Sequence, residues 1–328
     1  MVQPTILQVD ELKIGVKEGK KEIPIVNGVS FSLYEGETLG IVGESGCGKS
    51  MTSLSLMGLL PKGVEFLDGD VYLDQLNFKD FKQKNWRDVR GQKLSMIFQE
   101  PMSSLNPVYT IRKQVREMIK SHMKVSNEKA DARTLEMLKL VGIPRPDEVL
   151  DYYPHQLSGG MRQRIMIAMA LVNNPKILIA DEPTTALDVT IQAQILELMQ
   201  SLQEKMGMSV ILITHDLGVV AEVCNRVIVM YAGEVIEEAD TKTLFDEPLH
   251  PYTRGLLDSL PSIHEEVEYL SSISGTVPSP ANMPTGCRFR ERCSFAHEKC
   301  HQDPNVVQHK NGSRVKCWLY DEKEGEVK

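Results

Sequence analysis

No apolar run in the 328-residue chain approaches the roughly 20 residues that cross a bilayer, so no segment is expected to span a membrane. The opening Met1-Val-Gln-Pro-Thr lacks a basic region followed by an apolar stretch, and no signal peptide is expected. Positive charge is scarce. The 37 Lys and Arg against 45 Asp and Glu leave a net charge of −8, which argues against a nucleic-acid partner held by bulk charge. Internal repeats and low-complexity tracts are also missing. Apolar residues at 41% and charged residues at 25% are ordinary for a globular chain and exclude disorder or a collagen-like repeat. The length suggests one sizeable domain with an appendage. A cytosolic protein is expected, with any membrane role exercised through partners.

Short apolar runs rich in β-branched residues mark strands at residues 38–42, 94–98, 176–180, 210–214 and 226–230. Helical patterns lie between them, at 49–60, 112–120, 130–141, 160–172 and 191–205. Strands alternating with helices predict a mostly parallel sheet covered on both faces. Residues from about 101 to 154 carry few strand signals and read as a helical subdomain. After Gly233 the pattern weakens, and Thr276-Val-Pro-Ser-Pro-Ala-Asn-Met-Pro reads as a linker.

Three motifs carry chemistry. Gly43, Glu44, Ser45, Gly46, Cys47, Gly48, Lys49 and Ser50 follow a strand and open a helix, the context in which G-x-x-x-x-G-K-[ST] is a phosphate loop. Its glycines let backbone amides turn inward on phosphate oxygens, which the helix N-terminus also attracts. Lys49 would reach the β- and γ-phosphates, and the Ser50 hydroxyl would ligate Mg²⁺. Cys47 is a small filler rather than a redox switch. A second apolar strand ends in Asp181 and Glu182. Asp181 suits the metal, directly or through water, and Glu182 suits the general base that orients the attacking water. Finally, Leu157-Ser-Gly-Gly-Met161 opens a helix, so Ser158, Gly159 and Gly160 offer a hydroxyl and bare amides at a positive helix end. A plain helix cap at Ser158 uses the same groups.

Together these elements resemble the ATP-binding-cassette ATPases over roughly residues 5–260. Residues 43–50 match the Walker A loop, Asp181 and Glu182 close Walker B, and residues 157–161 match the signature sequence with Met161 in place of the usual Gln. Gln99, ending Leu94-Ser-Met-Ile-Phe-Gln, matches the Q-loop glutamine, which couples Mg²⁺ and water to a transmembrane partner. Ala186-Leu-Asp188 matches the D-loop, and His215 matches the switch histidine that contacts the γ-phosphate. The resemblance implies a P-loop NTPase-type α/β fold. Its cassette covers residues 1–260, with a mostly parallel core sheet, a helical subdomain at about 101–158 and an antiparallel β subdomain. It also implies a head-to-tail pair of cassettes, self or paralogue, in which Ser158 and Gly160 act in trans on ATP and Mg²⁺. One departure is clear. No aromatic residue lies in residues 12–26, upstream of the phosphate loop, where the family usually stacks adenine.

The tail is the most distinctive part. His250-Pro-Tyr-Thr-Arg-Gly and Pro280-Ala-Asn-Met-Pro-Thr-Gly-Cys-Arg-Phe-Arg-Glu-Arg-Cys resemble the C-terminal extension of dipeptide and oligopeptide importer ATPases, whose relatives include some nickel importers. In that subfamily Met at the position of Met161 is common. The resemblance implies two transmembrane permease subunits, an extracytoplasmic peptide-binding protein, and a peripheral place on the cytoplasmic face of the membrane. The alternative is a soluble cassette ATPase of DNA repair or translation. In the extension, residues 261–328, Cys287, Cys293, Cys300 and Cys317 are spaced C-x5-C-x6-C-x16-C, which matches neither a paired zinc ribbon nor a ferredoxin run. The segment 287–317 has a balance of +4, which would offset an anionic thiolate–metal centre. Spacing alone leaves a metal centre and a basic loop of free thiols both open. The family resemblance favours a [4Fe–4S] cluster over zinc. Cys224, between apolar residues, reads as a core thiol.

Overall fold

The computed structural model describes residues 3–19, 21–99, 104–185, 188–259 and 273–321. Expectations for Pro101, for Ala186 and for residues 261–272 lie outside these. The chain divides into two compact units, one built on Leu33–Glu37 and Asp80–Leu212, the other on Ile6–Ser32, Thr38–Lys79 and Ile213–Lys328.

In the unit that carries the phosphate loop, β1 (Thr5–Glu18) and β2 (Lys21–Tyr34) join β4 (Val64–Leu73) and β5 (Leu76–Asn77) in a four-stranded sheet. β1 pairs antiparallel with β4 in a register running from Leu7 opposite Leu73 to Val16 opposite Val64. Leu7, Val9, Leu12 and Ile14 form a buried row, with a register shift between Asp10 and Lys13 that keeps it on one face, and Ile6 is buried as well. A second sheet begins at β3 (Thr38–Val42), every residue of which is buried. β3 pairs parallel with β9 (Arg226–Tyr231). β9 then turns back antiparallel into β10 (Glu234–Asp240). This hairpin has two loop residues, Ala232 at φ 46° and Gly233 at φ 85°, the left-handed pair that matches strand twist. A Cβ on Gly233 would stand 2.2 Å from the Ile25 carbonyl oxygen, so the position is closed to any side chain. The helices of this unit are α1 (Lys49–Leu56), α8 (Leu217–Val223), α9 (Thr241–Asp246) and α10 (Pro251–Asp258). Cys224 is buried at the end of α8, as a core thiol should be.

The strand signal weakens after Gly233 because β10 is acidic, yet it forms. Antiparallel to it lies β12 (Arg314–Lys316), paired in turn with β11 (Val306–Gln308). The sheet is therefore mixed rather than mostly parallel on this side. Charge explains the docking. Glu234 accepts from Arg288 (3.0 Å), Lys316 (2.8 Å) and Asn27 (2.7 Å), while Glu238 accepts from Arg314 (3.0 Å) and pairs with Arg226. Arg292 pairs with Glu44. Arg288, Arg292, Arg314 and Lys316, four of the seven Lys and Arg in residues 287–317, thus pair with Glu44, Glu234 and Glu238. The proline-rich residues 276–284 hold only a single 3₁₀ turn, Pro280–Asn282.

The other unit holds β6 (Leu94–Ile97), β7 (Ile177–Asp181) and β8 (Ser209–Ile213), with β6 and β7 parallel and β8 beside β7. All residues of β7 and β8 are buried, as expected for parallel strands covered on both faces. Its helices are α2 (Gln83–Val89), α3 (Ile111–His122), α4 (Asn127–Leu140), α5 (Pro146–Val149), α6 (Gly159–Leu171) and α7 (Val189–Met206). Thr110 and Ser126 cap α3 and α4 with their hydroxyls. Ile111, Val115 and Ile119 bury one stripe of α3. Arg112 bridges Asp131 and Asp151 at 2.8 Å each, tying α3 to α4 and to the end of α5. No helix among the described residues is long and apolar enough to cross a membrane.

Gly233→Ala is expected to destabilise the fold by more than about 1 kcal/mol, through both the positive φ and the clash with Ile25. A fall in the urea midpoint at unchanged slope measures it. An unchanged midpoint would show that the hairpin relaxes freely.

Candidate functional site

The phosphate loop leaves β3 through Gly43, where φ is 150° and a Cβ would meet the Met230 carbonyl oxygen at 2.2 Å. No other residue could let the chain pass so close to β9. Gly48, at φ 104°, is the N-cap of α1 and has no side chain to satisfy its first amides. Those donors and the helix dipole suit an anion. The Lys49 ammonium is buried and donates to the carbonyls of Gly43 (2.6 Å) and Glu44 (3.2 Å), so it lies along the loop's inner side. The Cys47 thiol is fully buried, and burial raises its pKa, which fits a filler role. The buried Val26 stands 3.3 Å from the Cβ position of Gly48. His215 is exposed in the loop between β8 and α8, just before Asp216, which caps α8 by accepting from Gly218 (2.9 Å) and Val219 (3.3 Å).

In the other unit, Asp181 is buried at the end of β7. Glu182 follows with φ 48°, a conformation a non-glycine residue holds only when its surroundings enforce it. Its carboxylate accepts from the Gln99 amide at 3.0 Å and from the Thr185 hydroxyl at 2.9 Å. Gln99 and Glu182, which are 83 positions apart, thus meet in space. Ser158 caps α6 by accepting from the Met161 amide at 3.3 Å, with Gly159 exposed and Gly160 half-buried. Asp188 caps α7 by accepting from Ile191 at 2.9 Å. Met166, on α6, is buried as a core residue.

Several contacts escape motif reading. The buried Gln163 of α6 donates to the Pro183 carbonyl, bracing the turn that carries Glu182. Around the phosphate loop, the Glu44 amide donates to the Tyr252 hydroxyl (2.8 Å), and the Glu44 carboxylate is gripped by Arg292. A chain of bonds places Tyr252. The buried Glu237 accepts from the amides of Leu249 (2.7 Å) and His250 (2.8 Å), and His250 caps α10 at Tyr252 (3.0 Å). The only sequence signal for these was the His-Pro-Tyr segment itself.

The four tail cysteines line one small cavity with His250, Phe289 and Trp318. Cys287 and Cys300 are joined by a backbone bond of 3.0 Å, and the Cys300 sulfur lies 3.2 Å from His297 Nδ1. Burial raises the pKa of Cys287 and Cys293 and pushes Cys317 up to about 12, with the neighbouring thiols adding to the effect. Among the described residues no group of three or more His, Cys, Asp or Glu side chains is arranged to hold a single metal ion.

Known proteins resolve what this assembly is. Residues 26–185 match the ABC transporter family model. The chain belongs to the ABC transporter family. Residues 236–300 of this cassette match a second model, the oligopeptide/dipeptide transporter C-terminal region, which ends at Cys300. The oligopeptide transport ATP-binding protein AppD of Bacillus subtilis is 52% identical over 324 residues, covering 98% of this chain and 99% of that protein. The dipeptide transport ATP-binding protein DppD of Haemophilus influenzae is 49% identical over 312 residues, covering 95% and 94%. Among solved structures, the dimeric post-hydrolysis state of the ATP-binding cassette MJ0796 with ADP and Pi superposes with a TM-score of 0.63 at 32% identity, over 72% of this chain and 98% of that one. The cassette is an ATPase, for which ATP and Mg²⁺ are the ligands. Transport relatives of such closeness set aside the DNA-repair or translation alternative.

Alkylation of metal-free protein under native conditions is expected to reach the half-buried Cys287 and Cys293 before the buried Cys300 and Cys317. Peptide mapping after a timed pulse reads the order. Equal rates at all four would show that the cavity opens freely.

Proposed function

We propose that the chain is the ATP-hydrolysing subunit of a membrane importer for di- or oligopeptides, with nickel as a further cargo class of such systems. The observation that carries the mechanism is the Glu182 carboxylate, held in a strained turn by Gln99 and Thr185. The amides of residues 43–48 and Lys49 bind the nucleotide phosphates. Ser50, Gln99 and Asp181 hold Mg²⁺, which when bound neutralises charge on the transferring phosphoryl group. Glu182 accepts a proton from water and orients it, and His215 contacts the γ-phosphate. Ser158, Gly159 and Gly160 complete the site of a second cassette, self or paralogue, in a head-to-tail pair, with Asp188 at the same seam. Residues 1–260 act as the cassette and 261–328 as its extension. Two permease subunits, an extracytoplasmic peptide-binding protein and a position at the cytoplasmic face of the membrane complete the assembly.

The four cysteines are proposed to hold a [4Fe–4S] cluster. Ligands of a cluster each bind a different iron around a cube, so they need a shared cavity rather than one common point. All four thiols line the small tail cavity, which is the observation that supports this reading. Burial raises the pKa of Cys287, Cys293 and Cys317, and those thiols would release their protons on binding a metal.

Glu182→Gln is expected to lower hydrolysis by about 10²-fold or more while retaining bound MgATP, measured as phosphate release and as nucleotide trapped after gel filtration. Turnover near wild type would remove Glu182 from the role of base. Anaerobically purified protein is expected to contain about four iron and four sulfide per chain. Metal-free protein, or about one zinc, would overturn the cluster assignment and leave the ATPase standing.

A further inference from the structure

Glu44 places a carboxylate on a loop that otherwise gathers donors for phosphate. Arg292, from the cysteine-rich tail, meets it fork to fork, Nη1 to Oε2 at 2.6 Å and Nη2 to Oε1 at 2.9 Å. The Arg292 side chain is only 6% exposed and that of Glu44 30%, so a buried guanidinium meets a partly exposed carboxylate. Its orientation is fixed from other directions. Nε donates to the Ser274 carbonyl (2.8 Å), Nη2 to the Ile273 carbonyl (3.3 Å), and the guanidinium lies 5.6 Å from the centre of the Tyr231 ring and 5.9 Å from that of Phe289. Tyr231, Tyr252 and Phe289 pack on one another at centroid distances of 4.8 to 5.4 Å, forming the aromatic floor beneath the pair. Tyr252 reaches from that floor to the Glu44 amide. Two attachments to a single loop residue, one to its carboxylate and one to its amide, both come from the C-terminal part of the chain.

We propose that Arg292 is a positioning residue for nucleotide binding: it cancels the Glu44 charge beside the phosphates and, with Tyr252, fixes the phosphate loop, so that the C-terminal extension sets the affinity for ATP. The proposal rests on reading residues 43–50 as the ATP-binding loop. Without Arg292 the carboxylate stands near a polyanion with no counter-charge, and Coulomb repulsion across a partly buried site is large enough to matter. Arg292 immediately precedes Cys293, which ties the thiol loop mechanically to the phosphate loop.

The test is a set of MgATP titrations on the full-length chain, with melting temperature recorded for each variant. Arg292→Gln is expected to weaken MgATP binding about tenfold. Arg292→Lys, which keeps charge but loses the fork, is expected to fall between that variant and wild type. Glu44→Gln added to Arg292→Gln is expected to restore affinity to within about threefold of wild type, because the repulsion is then gone. A role confined to stability would instead leave the double variant as weak as the single one, and that result overturns the proposal. Wild-type affinity in Arg292→Gln overturns it equally. Should Arg292→Gln fail to fold, the Lys variant and the double variant carry the same comparison. Lys49→Ala separates the two levels of argument. If it leaves MgATP binding intact, the loop reading fails and the clamp with it. If it abolishes binding while Arg292→Gln changes nothing, the clamp alone fails.

Discussion

A loop that binds phosphate through its backbone must turn its amides inward, and in doing so it gives up the packing that would hold it in place. Residues 43–50 meet this constraint with positive φ at Gly43, Gly46 and Gly48 and with an α1 terminus that no side chain caps. Such a loop needs support from outside itself. Gly43 presses against β9 at Met230, the Cys47 carbonyl accepts from Gly233 in the β9–β10 turn, and Glu44 is tied at both its amide and its carboxylate. Much of the tail's architecture serves that support. β10 brings Glu237 to residues 249–250, α10 starts there, and Tyr252 then points back at the loop.

The second constraint is electrostatic. A Glu that serves as base beside a phosphoryl group must be held without being neutralised by a cation, because a salt bridge would lower its basicity. The Glu182 carboxylate accepts from two neutral groups, the Gln99 amide and the Thr185 hydroxyl. Glu44 has the opposite treatment. A buried guanidinium meets it fork to fork. Neutral donors thus orient the carboxylate proposed as the base, while a cation pairs with the one on the phosphate loop.

The motif-bearing parts of the chain were legible because their chemistry is local. A phosphate loop, a strand ending in Asp181 and Glu182, and a Ser-capped helix at Ser158 each declare themselves within about ten residues. The strands at β3, β7, β8 and β9 matched expectation within about a residue, since buried parallel strands read as continuous apolar runs. What stayed hidden depends on long-range pairing. β10 is Glu-rich and looks unlike a strand until Arg314 and Lys316 are seen opposite it. The Gln99–Glu182 and Glu44–Arg292 contacts join residues 83 and 248 positions apart, and no spacing rule connects them.

The tail's charge has a second use that composition does not reveal. A +4 segment around four thiols invites the idea of a field that stabilises thiolates. Yet Arg288, Arg292, Arg314 and Lys316 are already committed to Glu234, Glu238 and Glu44. Their cost of burial is offset by those partners, and little of their field is left for the cavity. Burial raises the pKa of Cys287, Cys293 and Cys317, the last to about 12, which favours the protonated thiol at those three positions. Arg288, Arg292, Arg314 and Lys316 therefore join the tail to the cassette, while its thiols line a pocket together with Arg290, and Arg292, next to Cys293, lies between these two parts of the tail.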